Sequence, residues 1–206
     1  MNSNSITFVV LTLENSIDQL LTYKKNLKVF PNLKIFKSVN GFDEDLTLKN
    51  FKHENITFHS LSSQHLSQPI NYNWGTLACW LTKYKALRWQ IENNIPYLCF
   101  IEDDLLISED FVNYCYTHLS YTSDSSFIRL GKWGEGYITS LEGAKNIIRE
   151  FSIVGITKPI DMQLRSMKTV EEINISEYTP WLVLVKPEKG QRTKTKPLDV
   201  SKLSNL

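Results

Sequence analysis

The sequence is short of cysteine, of one-sided charge and of long apolar runs, and each shortage excludes something. The three cysteines, Cys79, Cys99 and Cys115, are odd in number and widely spaced. They form neither a disulfide framework nor a metal-ligand pattern, and they read as reduced, mostly buried thiols of a cytoplasmic protein. Lysine and arginine number 23 against 22 acids, a net charge of +1, without the basic excess that nucleic-acid binding needs. Basic residues gather only from Lys186 to Lys196, against the single acid Glu188. The first residues lack the basic n-region and cleavage site of a signal peptide. The apolar run Ile6 to Leu13 is far shorter than the roughly 20 residues that span a bilayer. A transmembrane segment is therefore not expected, and a membrane-linked substrate would be met from the membrane surface.

Several catalytic signatures are missing too. There is no Gly-x-x-x-x-Gly-Lys-Ser/Thr phosphate loop, no Gly-x-Gly-x-x-Gly after the first strand and no His-Glu-x-x-His helix. Gly-x-Ser-x-Gly is absent as well. No glycine occurs between Gly75 and Gly131, which removes the Thr- and Gly-rich loop that a phosphoribosyltransferase carries after its acidic pair.

What is present is an α/β pattern. Ile6 to Leu13 is β-branched and continuously apolar, as a strand buried on both faces should be. A helix is predicted from Ser16 to Lys28, then a strand from Leu33 to Val39 closed by Asn40-Gly41. This β-α-β opening argues for a mixed α/β sheet with crossover helices. Residues 43–73 are polar and weakly periodic and read as irregular structure near the site. Helical spacing returns at Thr76 and runs to Asn93-Asn94. Tyr97 to Ile101 forms a second apolar strand, followed by a helix capped by Ser108 with Phe111, Val112, Cys115, Tyr116 and Leu119 inward. Phe127 to Leu130 is a strand. Gly131, Gly134 and Gly136 form a turn-like cluster around Trp133. Ser140 caps a further helix, Pro159 starts a short one, and Trp181 to Val185 is a last strand. Residues 1–186 make one domain, and 187–206 form a polar, basic tail expected to be poorly ordered.

The second apolar strand runs directly into Glu102-Asp103-Asp104. Three adjacent carboxylates repel one another and are costly to desolvate. They are tolerable at the C-terminal rim of an open sheet, where ligands bind. Hard carboxylate oxygens suit Mg²⁺ or Mn²⁺, commonly shared with phosphate oxygens. A solvated strand end or a cap for the next helix is the alternative reading.

The ordered segments Gly75 to Leu87, Ile101 to Asp104, Gly136 to Lys145 and Pro159 to Asp161 together resemble glycosyltransferase family 25, the lipooligosaccharide galactosyltransferases and their relatives. The resemblance spans Ile6 to Val185 and includes the Val39-Asn40-Gly41 turn. It implies a GT-A-like mixed, mostly parallel central sheet flanked by helices. It also implies inverting, metal-assisted transfer of a hexose from a UDP-sugar, UDP-galactose or UDP-glucose, to a hydroxyl on a lipid- or protein-linked glycan. The chain departs from the family in its first helix, which lacks an arginine pair. It departs again at Thr76, Ala78, Thr82 and Lys83, which stand where the family has Glu, Gly, Ser and His.

The resemblance assigns Asp104, with Glu102, to a Mn²⁺ or Mg²⁺ ion, and Glu102 and Asp103 to the nucleotide sugar. Thr12 and Leu13 would hold the nucleotide base, or simply end a core strand. Lys83 would reach a phosphate, or stay solvated on the polar side of its helix. Asp161 would be the general base, or a helix-end acid favoured by the dipole. Two other functions remain open. One is a nucleotide-sugar or glycan-binding module with a degenerate site. The other is a diphosphate hydrolase, whose second ion would want further acids such as Asp43 and Asp45.

Overall fold

The structure, a computed structural model, describes residues 6–13, 24–25, 27–28, 33–59, 73–103, 105–107, 111, 113, 115–117, 126–130, 136–167, 171–174, 182–184, 195–198 and 202–203. The strands are β1 (Ile6–Thr12), β2 (Lys34–Lys37), β3 (Tyr97–Glu102), β4 (Leu105–Ile107), β5 (Ser126–Leu130), β6 (Gly136–Ser140), β7 (Glu171–Asn174) and β8 (Leu182–Leu184). The helices are α1 (Glu44–Glu54), α2 (Trp74–Glu92), α3 (Leu141–Val154) and α4 (Ile160–Arg165). Six strands form one sheet in the order β2-β1-β3-β6-β5-β7, while β4 and β8 pair separately. β1 is parallel to β2 and β3, and β5 is parallel to β7; β6 runs antiparallel between β3 and β5. This is the mixed, mostly parallel α/β sheet flanked by helices that the sequence leads one to expect.

Alternation along the strands divides the core in two. Val9, Leu11, Leu98, Phe100, Phe127 and Tyr137 pack with α1, α2, α3 and α4 on one face. Phe8, Val10, Cys99, Ile101, Ile128, Leu130 and Ile138 pack with Phe111 and Cys115 on the other. A strand whose neighbouring residues enter different cores must be apolar throughout, which is why β1 and β3 read as unbroken apolar runs.

Four local readings change. Residues 44–54 are helical rather than irregular. Asp43 accepts from the Leu46 amide as N-cap, Glu44 and Asp45 fill the first turn, and Asn55 closes the helix at φ 51°. Its periodicity is weak because only Thr47 and Phe51 are buried. α2 begins at Trp74, not Thr76, because Asn73 caps it. Tyr116 is exposed, although Phe111 and Cys115 on the same helix are buried. Gly136 opens a buried strand instead of ending a turn cluster: a Cβ on it would lie 2.9 Å from the Phe100 carbonyl oxygen, so glycine lets β6 close against β3. Of the helix predicted from Ser16 to Lys28, residues 24, 25, 27 and 28 are described and helical. Ser108, Val112, Leu119, Gly131, Trp133 and Gly134 lie outside the described residues.

The segment expected to form a loose basic tail contributes to the core through its described residues. Leu198 and Leu203 are buried. Thr195 Oγ1 accepts from the Gly75 amide, the Lys196 carbonyl accepts from the Trp74 amide, and Lys196 pairs with Glu44 at 3.0 Å. These contacts occupy amides at the start of α2 that have no partner within the helix.

Candidate active site

The site is assembled on the face of the sheet that carries α2, at the C-terminal end of β3. Glu102 continues the alternation of Leu98 and Phe100, so its side chain turns toward α2, while the register pairs it with Leu11. Thr12 and Leu13 therefore stand one strand away on the same rim. Thr12 is buried and its carbonyl accepts from the Ser38 amide at 2.8 Å; Leu13 is half-buried. Asp103 is half-buried in the turn after β3. Asp104 lies outside the described residues.

Lys83 is the main departure from expectation. It is not solvated: its side chain is 1% exposed. The reason is the surroundings of α2. The sheet lies on one side, and Trp80 and Tyr84 pack against Phe151 of α3 on another. Only residues such as Arg88 and Glu92 are left toward water. An ammonium buried without partners would cost several kcal/mol. Lys83 meets this with two carboxylates and a ring. Nζ donates to Asp161 Oδ1 at 2.6 Å, lies 3.3 Å from Glu102 Oε1, and sits 5.1 Å from the centre of the Tyr137 ring.

Asp161 comes from the first turn of α4, where Pro159 supplies no side-chain cap. Its Oδ1 also accepts from the Tyr137 hydroxyl at 2.8 Å. Among the described residues nothing hydrogen-bonds its Oδ2, and the side chain is 23% exposed. The carboxylate is thus held through Oδ1 and is partly exposed. Burial alone would make Lys83 lose its proton more easily. The pull of Asp161, then of Cys79, Glu102 and Tyr137, reverses this and raises its pKa well above the ordinary lysine value. The Tyr137 phenol is also raised, by burial first; Lys83 opposes this, while Asp161 and Glu102 reinforce it. Tyr137 therefore stays a donor and Lys83 stays a cation.

The structure brings together Lys83, Glu102 and Asp161, three of the residues singled out in the sequence. It adds Tyr137, which had no role there. Tyr137 lies in an all-buried strand, where a Tyr hydroxyl needs a partner. Arg129 was missed as well. It is 6% exposed, is the register partner of Tyr137, and alternates with Ile128 and Leu130, which puts it on the same face as Tyr137. Asp43 caps α1 through the Leu46 amide, and Asp45 lies in its first turn.

Carboxylate oxygens at this rim have the chemistry a divalent ion wants. One oxygen of Glu102, however, faces the Lys83 ammonium, and no cluster of three or more His, Cys, Asp or Glu side chains is found among the described residues.

In open α/β sheets, ligands bind at the carboxyl ends of the strands, where this rim lies. The chain belongs to glycosyltransferase family 25: the sequence model of that family, described as an LPS biosynthesis protein, matches residues 6–155. It is thus a glycosyltransferase by family. The matched region contains Thr12, Leu13, Lys83, Glu102, Asp103, Asp104 and Tyr137, and Asp161 lies just beyond it. No curated protein sequence matches the chain. Among solved structures, a glycosyltransferase involved in the glycosylation of the major capsid of PBCV-1 is similar at 10% identity and a TM-score of 0.41, over 82% of this chain and 81% of that one. No helix among the described residues is long and apolar enough to cross a membrane.

Proposed function

We propose that the chain transfers a hexose from a UDP-sugar, UDP-galactose or UDP-glucose, to a hydroxyl of a lipid- or protein-linked glycan, with inversion and in the cytoplasm. The observation that carries this reading is the half-tethered carboxylate of Asp161. Its Oδ1 accepts from Lys83 and Tyr137, and among the described residues nothing hydrogen-bonds its Oδ2. A carboxylate fixed in that way can take the proton of an acceptor hydroxyl. As the hydroxyl oxygen bonds to the anomeric carbon, the bond to the diphosphate breaks, and UDP leaves with the electron pair. Thr12, Leu13 and Asp103 line the rim where the nucleotide sugar would lie. Asp104, with Glu102, would hold Mn²⁺ or Mg²⁺, which when bound would neutralise charge on the leaving group.

A second reading has an observation of its own. Lys83, at the family's His position, ties down both Glu102 and Asp161, as a binding module with a degenerate site could also do. Calorimetry with UDP, with and without Mn²⁺, tests whether the rim holds a nucleotide. Release of UDP from UDP-galactose or UDP-glucose in the presence of glycan acceptors then separates the readings. Transferase activity predicts turnover that Asp161→Asn lowers by roughly 10²–10⁴, with UDP binding retained. UDP binding without turnover by the wild type favours the binding module. Absence of UDP binding under every metal condition sinks the transferase reading and leaves a glycan-binding module.

A further inference from the structure

The buried lysine has no evident place in binding a donor. Its Nζ is enclosed by Asp161 Oδ1 at 2.6 Å, Glu102 Oε1 at 3.3 Å and the Tyr137 ring. We propose that Lys83 is a positioning residue, which with Tyr137 aims the Asp161 carboxylate at the acceptor and fastens it, through Glu102, to the donor end of β3. This rests on the transferase reading above.

The argument is geometric. α4 is only six residues long and has no side-chain cap at its start. It is anchored on its inner side by Gln163, whose Oε1 accepts from Trp80 Nε1 and the Thr157 amide, and whose Nε2 donates to the Gly155 carbonyl. That anchor sets the position of the helix but not the rotation of the Asp161 side chain two residues earlier. Rotation is set at Oδ1, where two donors converge from two different elements, Lys83 of α2 and Tyr137 of β6. Both donors are buried and held by packing, so little side-chain freedom is lost when they hold the carboxylate. Two donors on one oxygen fix the plane of the carboxylate and leave Oδ2 as the oxygen that meets the acceptor.

The contact to Glu102 adds a second consequence. Lys83 lies 78 residues from Asp161 in sequence and stands between the strand end that faces the donor and the helix that faces the acceptor. One cation therefore spaces the two halves of the reaction. A shift of about 1 Å at such a point is worth up to roughly 10² in rate.

The test compares turnover in single and double variants, using radiolabelled UDP-sugar with long incubations so that slow variants are measured. Lys83→Met keeps the unbranched length and removes the charge. Tyr137→Phe removes only the hydroxyl and carries the test should Lys83→Met fail to fold. The expected result is a fall in kcat of up to roughly 100-fold for Lys83→Met and about fivefold for Tyr137→Phe. The donor KM and the dissociation constant for UDP should stay within about twofold of wild type. In an Asp161→Asn background, either change should lower the rate by less than about twofold, because the carboxylate it positions is gone. The inference is overturned if the variants lose the same factor with and without Asp161. It is also overturned if the loss appears in donor KM and UDP affinity at unchanged kcat, which would make Lys83 a donor-binding residue. A wild-type protein that binds UDP but never turns over defeats the transferase reading itself, and the positioning role with it. That result is told apart from the others by the wild type alone.

Discussion

Gly41 and Gly75 stand back to back. A Cβ built on Gly41 would lie 2.6 Å from the Gly75 Cα and 2.9 Å from its amide nitrogen. The turn after β2 is thereby pressed against the first turn of α2, and the Val39 amide beside it donates to Thr82 Oγ1 at 2.9 Å. Because the colliding atoms are backbone, they cannot swing aside. Gly41→Ala should therefore destabilise the fold by about 1–3 kcal/mol through overpacking. Urea unfolding measures this, and a midpoint equal to wild type would show that the two segments separate readily.

Gln163 links three elements through one buried amide, with Trp80, Thr157 and Gly155 as partners. Gln163→Leu conserves approximate volume but strands two N–H groups and a carbonyl. Each buried unpaired group costs about 1–3 kcal/mol. The expected outcome is a markedly lower thermal midpoint, together with reduced turnover from the loosening of α4. An unchanged midpoint would mean that water replaces the amide.

The cluster around Lys83 makes the fold sensitive to alkali. The Tyr137 phenol and the Lys83 ammonium both bind their protons more tightly in the folded chain than when unfolded. Above pH about 10 the unfolded chain releases protons that the folded chain retains. Stability therefore falls as pH rises through that range and is fully present below it. Tyr137→Phe removes one of the two groups. Its stability should decline less steeply above pH 10, by up to about 1.4 kcal/mol per pH unit. Parallel slopes for wild type and variant in urea titrations would contradict the assignment.

The three thiols should react in two classes. Cys99 and Cys115 are buried, and the Cys99 thiol is raised well above its usual pKa, by burial first and then by its hydrogen bond with Cys115. Cys79 is only partly buried. A disulfide-exchange reagent at pH 8 should label Cys79 alone in the native protein and all three residues in denaturant. Rapid native labelling of Cys99 or Cys115 would show that the second core opens.

The features legible beforehand were those written in short-range pattern. β1 and β3 announce themselves as unbroken apolar runs. Ser140 accepts from the Gly143 amide as the cap of α3, and Pro159 and Asp161 mark the start of α4. α1 carried its caps in plain view, Asp43 before it and Asn55 after it. Periodicity does not reveal it, because two buried residues, Thr47 and Phe51, make too narrow a stripe. β6 was obscured by its glycine, which reads as a turn until the neighbouring carbonyl of Phe100 is seen beside it.

By itself the sequence determined an α/β chain with an acidic strand end, and through ordered segments it determined the family. Those properties depend on neighbours a few residues apart, where alternation, capping and composition act. Only the tertiary structure decided what the carboxylates face. Lys83 reads as a surface lysine on any helical wheel. Its burial follows from helices and a sheet closing around α2 from distant parts of the chain, and so does its pairing with Asp161. An ion pair across 78 residues leaves no local trace, because the energy that selects it comes from excluding water at a place that exists only once the chain has folded.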